Sequence, residues 1–306
     1  MRKSLAILLR ASEEFFLGGQ AVIEGVVIRS RSKVALAVRR ADGSIGVKSW
    51  SVKPYREINP ILGFPIIRGV MALYDALVWG IKTLCYSADE ALGGKEKLSL
   101  LEVVGSVALA LGLAIGLFVI LPASIAHIVE VKEGLGRISL NIVEGIFRVL
   151  TFLLYLLFIG LFKEIRRIFS YHGAEHKVIN AYESLRSTVN PEDVRSYSRF
   201  HYRCGTSFIL FVLVISIVCF AVFEQETLIR RFLVRVSLIP LIAGISYEIL
   251  KMTSSSAIGH LLAKPGIWLQ YLTTREPTLD QIEVGIAALK EALGDVGETK
   301  ENRGRV

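Results

Sequence analysis

Cysteine is nearly absent: Cys85, Cys204 and Cys219 are spread over 306 residues, and no two are spaced C-x-x-C. So sparse and odd a set excludes a disulfide scaffold and suits a reducing compartment or burial in a membrane. There is no G-x-x-x-x-G-K-[ST] loop and no dinucleotide fingerprint, which removes the common phosphate cradles. No run of Lys and Arg interleaves with aromatics, so a net charge of +8 and a pI near 9.4 do not point to nucleic acid. No cleavable leader is expected, because Arg10 interrupts the apolar run Leu5 to Leu9; residues 1–17 read as a short amphipathic helix. No repeat of fixed period is visible.

What the chain has in excess is apolar sequence. Its hydrophobic share is 52% and its mean hydropathy +0.51, above the roughly 45–50% apolar content of a soluble domain. The excess lies in runs. Residues 103–126 and 204–223 carry no charge, and each is long enough to span a bilayer as a helix. Residues 138–162 hold Glu144 and Arg148, and residues 232–250 hold Arg235 and Glu248. Glu144 and Arg148 stand at i,i+4 and can pair. Charges within a span either serve function or snorkel from the helix ends, and both readings stay open.

The N-terminal third is different. "AVIEGVVIRS", "KVALAVRR" and "SIGVKSWSV" are strand-like, and Asp42-Gly43 marks a hairpin turn. From Ile66 the spacing turns helical, with Arg68, Asp75 and Lys82 close to one face, as in an interfacial helix or one packed on a bundle. Thr278 and Gln281 form a capping-box pattern opening a helix to Leu293, and a polar tail follows Gly294.

The expected fold class is mainly α: a multi-pass membrane helical bundle of about four spanning helices, with a small N-terminal β-hairpin element and cytoplasmic amphipathic helices. The expected organisation is 1–17 amphipathic, 18–98 β element plus interfacial helix, and 99–162 first transmembrane hairpin. A cytoplasmic loop follows at 163–206, then a second hairpin at 207–250 and a C-terminal region at 251–306. Lys plus Arg number 15 in residues 1–102, eight in 163–203 and seven in 251–306, against two each in 127–137 and 224–231. The positive-inside rule therefore places both termini and the 163–203 segment in the cytoplasm. Arg230 and Arg231 sit awkwardly in an outer connection.

Chemistry concentrates in "YHGAEHKVIN". His172, Glu175 and His176 stand at i, i+3 and i+4, on one helix face. Two imidazoles one turn apart can bind one divalent metal, and a neighbouring carboxylate can serve as base; H-x-x-E-H is the order of the inverted zinc hydrolases. A third ligand is sought in "FHYRCGTSF", where His201 leads and Arg203 and Cys204 follow as secondary candidates. Glu248 returns to the same level, and His260 is a weaker candidate. In "GGQAVIEGVVIRS", Gly18, Gly19 and Gly25 suggest close backbone approach, and Glu24 could reach the cluster if the sheet packs beneath it. The same His and Glu residues could instead form a polar network that locks helices together. For Cys204 a packing role stands beside the ligand role, and no activating partner for a nucleophile is visible in the sequence.

"GGQAVIEGVVIRS", "YHGAEHKVINAYE", "RCGTSF", "LIAGISYEI" and "PGIWLQYLTTREP", in that order, resemble the YqhQ-type bacterial membrane protein family, a domain of unknown function. The resemblance covers roughly residues 18–290. It implies a multi-pass protein of the bacterial cytoplasmic (inner) membrane, described only as a predicted metal-dependent enzyme, and it points to His172, Glu175, His176, His201, Arg203 and Cys204. Tyr202 stands where the family pattern leads one to expect Pro. The leading expectation is a cytoplasm-facing divalent metal, zinc first and iron or manganese next, held by His172, His176 and His201, with Glu175 as the catalytic base of a hydrolase. The alternative is a non-enzymatic membrane scaffold, transporter or assembly factor. Membrane lipids are the expected partners, with room for a homo-oligomer or a further membrane protein.

Overall fold

The computed structural model describes residues 17–91, 93, 99–134, 136–185, 187, 189–222, 228–254 and 256–294. The amphipathic helix expected over 1–17 (Leu17 apart), the polar tail after Gly294 and the connection 223–227 lie outside them.

Four strands, β1 (Gly18–Val22), β2 (Gly25–Arg29), β3 (Lys33–Arg39) and β4 (Ile45–Ser51), form one antiparallel meander in sequence order. This is a larger sheet than the single hairpin element expected. The Asp42-Gly43 turn joins β3 to β4, with Gly43 at φ 84. Register sets Val26 opposite Ala37 and Ile28 opposite Ala35, with Val27 opposite Leu36 on the other face. Both faces are covered, which is why these strands read as continuous apolar runs rather than alternating ones.

One face packs on two helices, α6 (Lys163–Leu185) and α11 (Leu279–Leu293). Val26, Ile28, Ala35 and Ala37 join Tyr171, Val178, Ile282 and Leu289 in one core. The other face sets Val27, Val34, Leu36 and Val38 against Trp79 and Tyr86 of α2 (Ile67–Ala91). Each fully buried aliphatic side chain here contributes about 1.5–3 kcal/mol. The sheet is thus the middle layer of a three-layer unit. Thr278 and Gln281 form the capping box of α11 that the sequence announces.

Four helices are long and apolar enough to cross a membrane: Leu101–Glu130, Ile138–Ile159, Gly205–Val222 and Leu233–Met252. The first comprises α3 (Leu100–Ile115), a π turn over Gly116–Ile120 and α4 (Leu121–Glu133). The others lie in α5 (Arg137–Ile159), α8 (Gly205–Val222) and α9 (Leu228–Met252). Arg230 and Arg231 therefore belong to a helix rather than to a loop. Short α1 (Tyr55–Ile58) precedes α2, and short α7 (Pro191–Arg195) follows α6. The last apolar helix, α10 (Ala257–Thr273), lies against α8.

Glu144, Arg148, Arg235 and Glu248, the charges that interrupt the apolar spans, are paired. Glu144 accepts from Arg148 one turn on, and from Arg235 across on α9. Arg148 also donates through Nε to the Phe118 carbonyl at 2.9 Å. Pro122 lacks the N–H that would serve that oxygen in a regular helix, so the arginine fills the gap that proline leaves. At the other end of α9, Glu248 pairs with Arg68 of α2, whose Nε is 2.7 Å away. The two helices touch where Gly69 meets Gly244. Asp75 pairs with Arg29, and Lys82 Nζ sits 4.9 and 4.7 Å from the rings of Trp50 and Trp79. Arg68, Asp75 and Lys82 of α2 thereby each have a partner.

Candidate functional site

The H-x-x-E-H stretch falls in the middle of α6, where the helix is buried on several sides at once. Glu175 and His176 are almost fully buried, and His172 is half-buried. Two glycines make this possible. A Cβ on Gly173 would lie 2.0 Å from the Arg275 carbonyl oxygen, so only glycine lets the extended segment after α10 cross the helix there. A Cβ on Gly19 would lie 2.5 Å from Glu175 Oε1, so β1 leaves its own side-chain space to that carboxylate.

Both imidazoles are oriented by backbone carbonyls. His172 Nδ1 is 2.8 Å from Thr273 O, and His176 Nδ1 is 2.6 Å from Arg199 O. A carbonyl only accepts, so each Nδ1 carries a proton, and Nε2 is the ring nitrogen left to face the other ligand groups. This is the outer arrangement typical of metal-ligating histidines. The two rings are 4.4 Å apart, centroid to centroid.

The group that meets them is Cys204, at the entry to α8. Its Sγ is 3.2 Å from His172 Nε2 and 3.1 Å from Thr206 Oγ1. Among the described residues, His172, His176 and Cys204 each present a ligand atom within 4.8 Å of the others. Tetrahedral zinc with bonds of about 2.0–2.3 Å sets neighbouring ligand atoms about 3.5 Å apart, so the Sγ–Nε2 spacing is close to what a shared ion needs. Two imidazoles and a thiol also form a chemically suitable donor set for zinc. The Cys204 thiol thus has the His172 imidazole in hydrogen-bond contact, a partner that its sequence context did not reveal.

His201 is close to the group but outside it. Its ring centroid lies 5.6 Å from that of His176, and its Nε2 is 3.8 Å from Glu183 Oε2. Its backbone is clamped by Gln270, which accepts from His201 N at 2.9 Å and donates to His201 O at 2.8 Å. Burial, reinforced by the neighbouring His176 and Arg203, pushes its pKa down to about 4 although Glu183 opposes the shift. His201 is thus neutral at pH 7. Arg203 pairs with Glu183 and steadies the turn carrying His201 and Cys204.

Glu175 lies with Oε2 3.5 Å from His176 Nε2. Burial raises its pKa to about 7, even though His172 and Arg203 pull it down. A carboxyl poised there can take and return a proton near neutrality. The other acidic candidates sit elsewhere. Glu24, at a positive φ of 52, binds Arg167 and accepts from the Tyr171 hydroxyl at 3.1 Å, pinning the β1–β2 turn to α6. Glu248 is held by Arg68. His260 stacks on Tyr202 at 4.8 Å.

The sequence reading passed over Thr273, Gln270, Glu183 and Gly173. The first two lie in "LQYLTTREP", a stretch read only for its aromatics; Thr273 acts through its carbonyl, and a backbone group leaves no mark on residue identity.

Residues 64–295 match a family model described as a protein of unknown function, DUF1385. The chain is 37% identical over 296 residues to the "Uncharacterized protein YqhQ" of Bacillus subtilis (strain 168), an alignment spanning 90% of this chain and 92% of that protein. No solved structure matches it.

Proposed function

Because this chain belongs to the DUF1385 family, a family of unknown function, its activity has to be reasoned from its own atoms, and we propose a membrane-embedded, metal-dependent hydrolase. In this reading the four apolar helices span the bacterial cytoplasmic membrane with both termini in the cytoplasm, as the Lys and Arg distribution favours. His172, His176 and Cys204 hold a divalent ion, zinc first. The observation that carries the reading is the convergence of these three ligand atoms within 4.8 Å, each imidazole held by a backbone carbonyl.

A bound divalent ion would supply a Lewis acid beside Glu175. Glu175 would then serve as base, taking a proton from the water that attacks the substrate and returning it to the leaving group as the scissile bond breaks. Thr273 and Arg199 fix the imidazoles through their carbonyls. His201 and Gln270 brace the turn that delivers Cys204. This arrangement takes Cys204 as third ligand, with His201 behind it.

Metal analysis of detergent-purified protein tests the proposal. About one equivalent of zinc, iron or manganese is expected in the native chain, with loss in His172→Ala, His176→Ala and Cys204→Ser variants that elute as the native protein does. A native chain without stoichiometric metal, purified free of chelators, would sink it.

A second reading is a non-enzymatic scaffold or transporter. Its support is the cluster of Glu144, Arg148 and Arg235 inside the apolar helices, which carries one more positive than negative charge. It expects charge-neutralising changes there to damage function while Glu175→Gln is silent.

A further inference from the structure

The surroundings of the His/Cys site carry a statement about what it acts on, which rests on the metal-site reading above. Cys204 immediately precedes Gly205, the first residue of an apolar helix able to cross a membrane. The carbonyl that orients His172 belongs to Thr273, the last residue of α10. The site therefore sits at the end of the apolar bundle, where α8 begins and α10 ends.

α10 is amphipathic in an instructive way. Ile258, Leu261, Leu262, Trp268 and Tyr271 are all exposed, Trp268 at 67%, and at 3.6 residues per turn they fall on one half of the helix surface. The opposite side packs on α8, where Gly266 meets Ser207. Exposed Lys264 lies on the same half as these apolar residues, one turn before Trp268, and exposed Arg275 follows the helix. A tryptophan and a tyrosine on an apolar stripe with flanking cations is the composition of a helix lying in a headgroup layer.

A second helix repeats the pattern. α2 leaves Tyr74, Leu77, Val78, Ile81 and Leu84 exposed on the side away from the sheet, again at helical spacing. It meets α9 at Gly69 and Gly244, and Arg68 binds Glu248 four residues before the α9 terminus. α8 begins and α9 ends on the same side of an antiparallel hairpin. Both unpartnered stripes thus lie at one end of the bundle, continuous with its apolar surface, and the His/Cys site lies at that same end. A bilayer would cover both stripes together with the spans. A soluble partner would have to match two helices and the bundle rim at once.

We infer that the His172–His176–Cys204 site lies at headgroup level, so that a membrane-resident amphiphile rather than a soluble metabolite is what reaches it. Tyr202, 44% exposed, two residues before Cys204 and stacked on His260 of α10, reports the level of this end of the bundle.

The test uses the full chain in nanodiscs of equal phosphatidylcholine and phosphatidylglycerol. Tyr202 is exchanged for the photocrosslinker p-benzoylphenylalanine, and the same exchange at Val218 on α8 serves as the lipid-facing control. Irradiation and intact-mass analysis are expected to give a one-phospholipid adduct at both positions. In parallel, Trp50→Phe and Trp79→Phe leave Trp268 as the sole tryptophan. Lipids brominated near the carbonyl end of their chains should quench it at least twofold more than aqueous iodide does. A lipid adduct at Val218 with none at Tyr202, a crosslink from Tyr202 to a second copy, or a Trp268 quenched by iodide and not by brominated lipid would each overturn the inference. None of these readouts depends on bound metal, so loss of the metal reading and loss of this one are told apart by metal content and by lipid adduct respectively.

Discussion

Arg235 reaches from α9 to Glu144 on α5, its two terminal nitrogens 2.7 and 2.8 Å from the two carboxylate oxygens. Arg148 takes the remaining approach to the same carboxylate at 2.5 Å, so one anion serves two cations between apolar helices. Glu144→Gln strands both guanidiniums. Breaking a buried pair by removing one partner costs about 3–5 kcal/mol, whereas replacing every member by apolar residues is often neutral. Thermal unfolding in detergent should therefore show Glu144→Gln as the least stable form, with the triple change Glu144→Leu, Arg148→Leu, Arg235→Leu close to the native protein. Equal midpoints for Glu144→Gln and native protein would remove the structural role given to this cluster.

Glu175 links pH to stability. Its folded pKa of about 7 lies above the ordinary value of 4.5, so between those two values the folded state binds the extra proton. Stability therefore falls as pH rises through this window, and the loss is complete above the folded pKa. The shift corresponds to about 3 kcal/mol at most. In chelator-treated protein, Glu175→Gln should match the native chain near pH 4.5 and exceed it in melting temperature by pH 8. Adding zinc should close the gap, because a nearby cation favours the carboxylate. A gap that does not vary with pH would mean that this carboxyl does not titrate across the window.

Cys204 gives the site a spectroscopic handle. A cobalt-substituted native protein should show a thiolate-to-metal band in the near ultraviolet, and Cys204→Ser should lose it while retaining the imidazole contribution. His201→Ala should keep the band. If His201→Ala removes bound cobalt and Cys204→Ser leaves it unchanged, the ligand set is the one the sequence spacing first suggested.

Gly173→Ala places a methyl group 2.0 Å from the Arg275 carbonyl oxygen. The segment carrying Thr273 must retreat, and His172 loses the acceptor that holds its tautomer. Metal affinity should fall about 10–100-fold, the usual cost of an outer-sphere partner, with no ligand altered. Isothermal titration with zinc decides it, and unchanged affinity would show that the Thr273 carbonyl is dispensable.

Legibility in the sequence followed the range of the forces involved. The four apolar helices, the β3–β4 turn at Asp42-Gly43, the Glu144–Arg148 pair and the α11 cap are local, and each was readable from spacing alone. Glu24 was not: it could be offered to the metal cluster because nothing in its neighbourhood shows that Arg167 and Tyr171 wait 143 and 147 residues on. The same holds for Cys204, whose partner His172 is 32 residues earlier.

By itself, then, the sequence determined which segments are too apolar for water, and that two histidines and a glutamate share one helix face, since hydropathy and a 3.6-residue period are properties of the chain. Only the tertiary structure decided that Cys204 completes the group while His201 turns to Glu183, and that Gly19 and Gly173 clear the space around them. Those outcomes depend on which backbones cross at close range, and such crossings are fixed by packing between segments far apart in sequence.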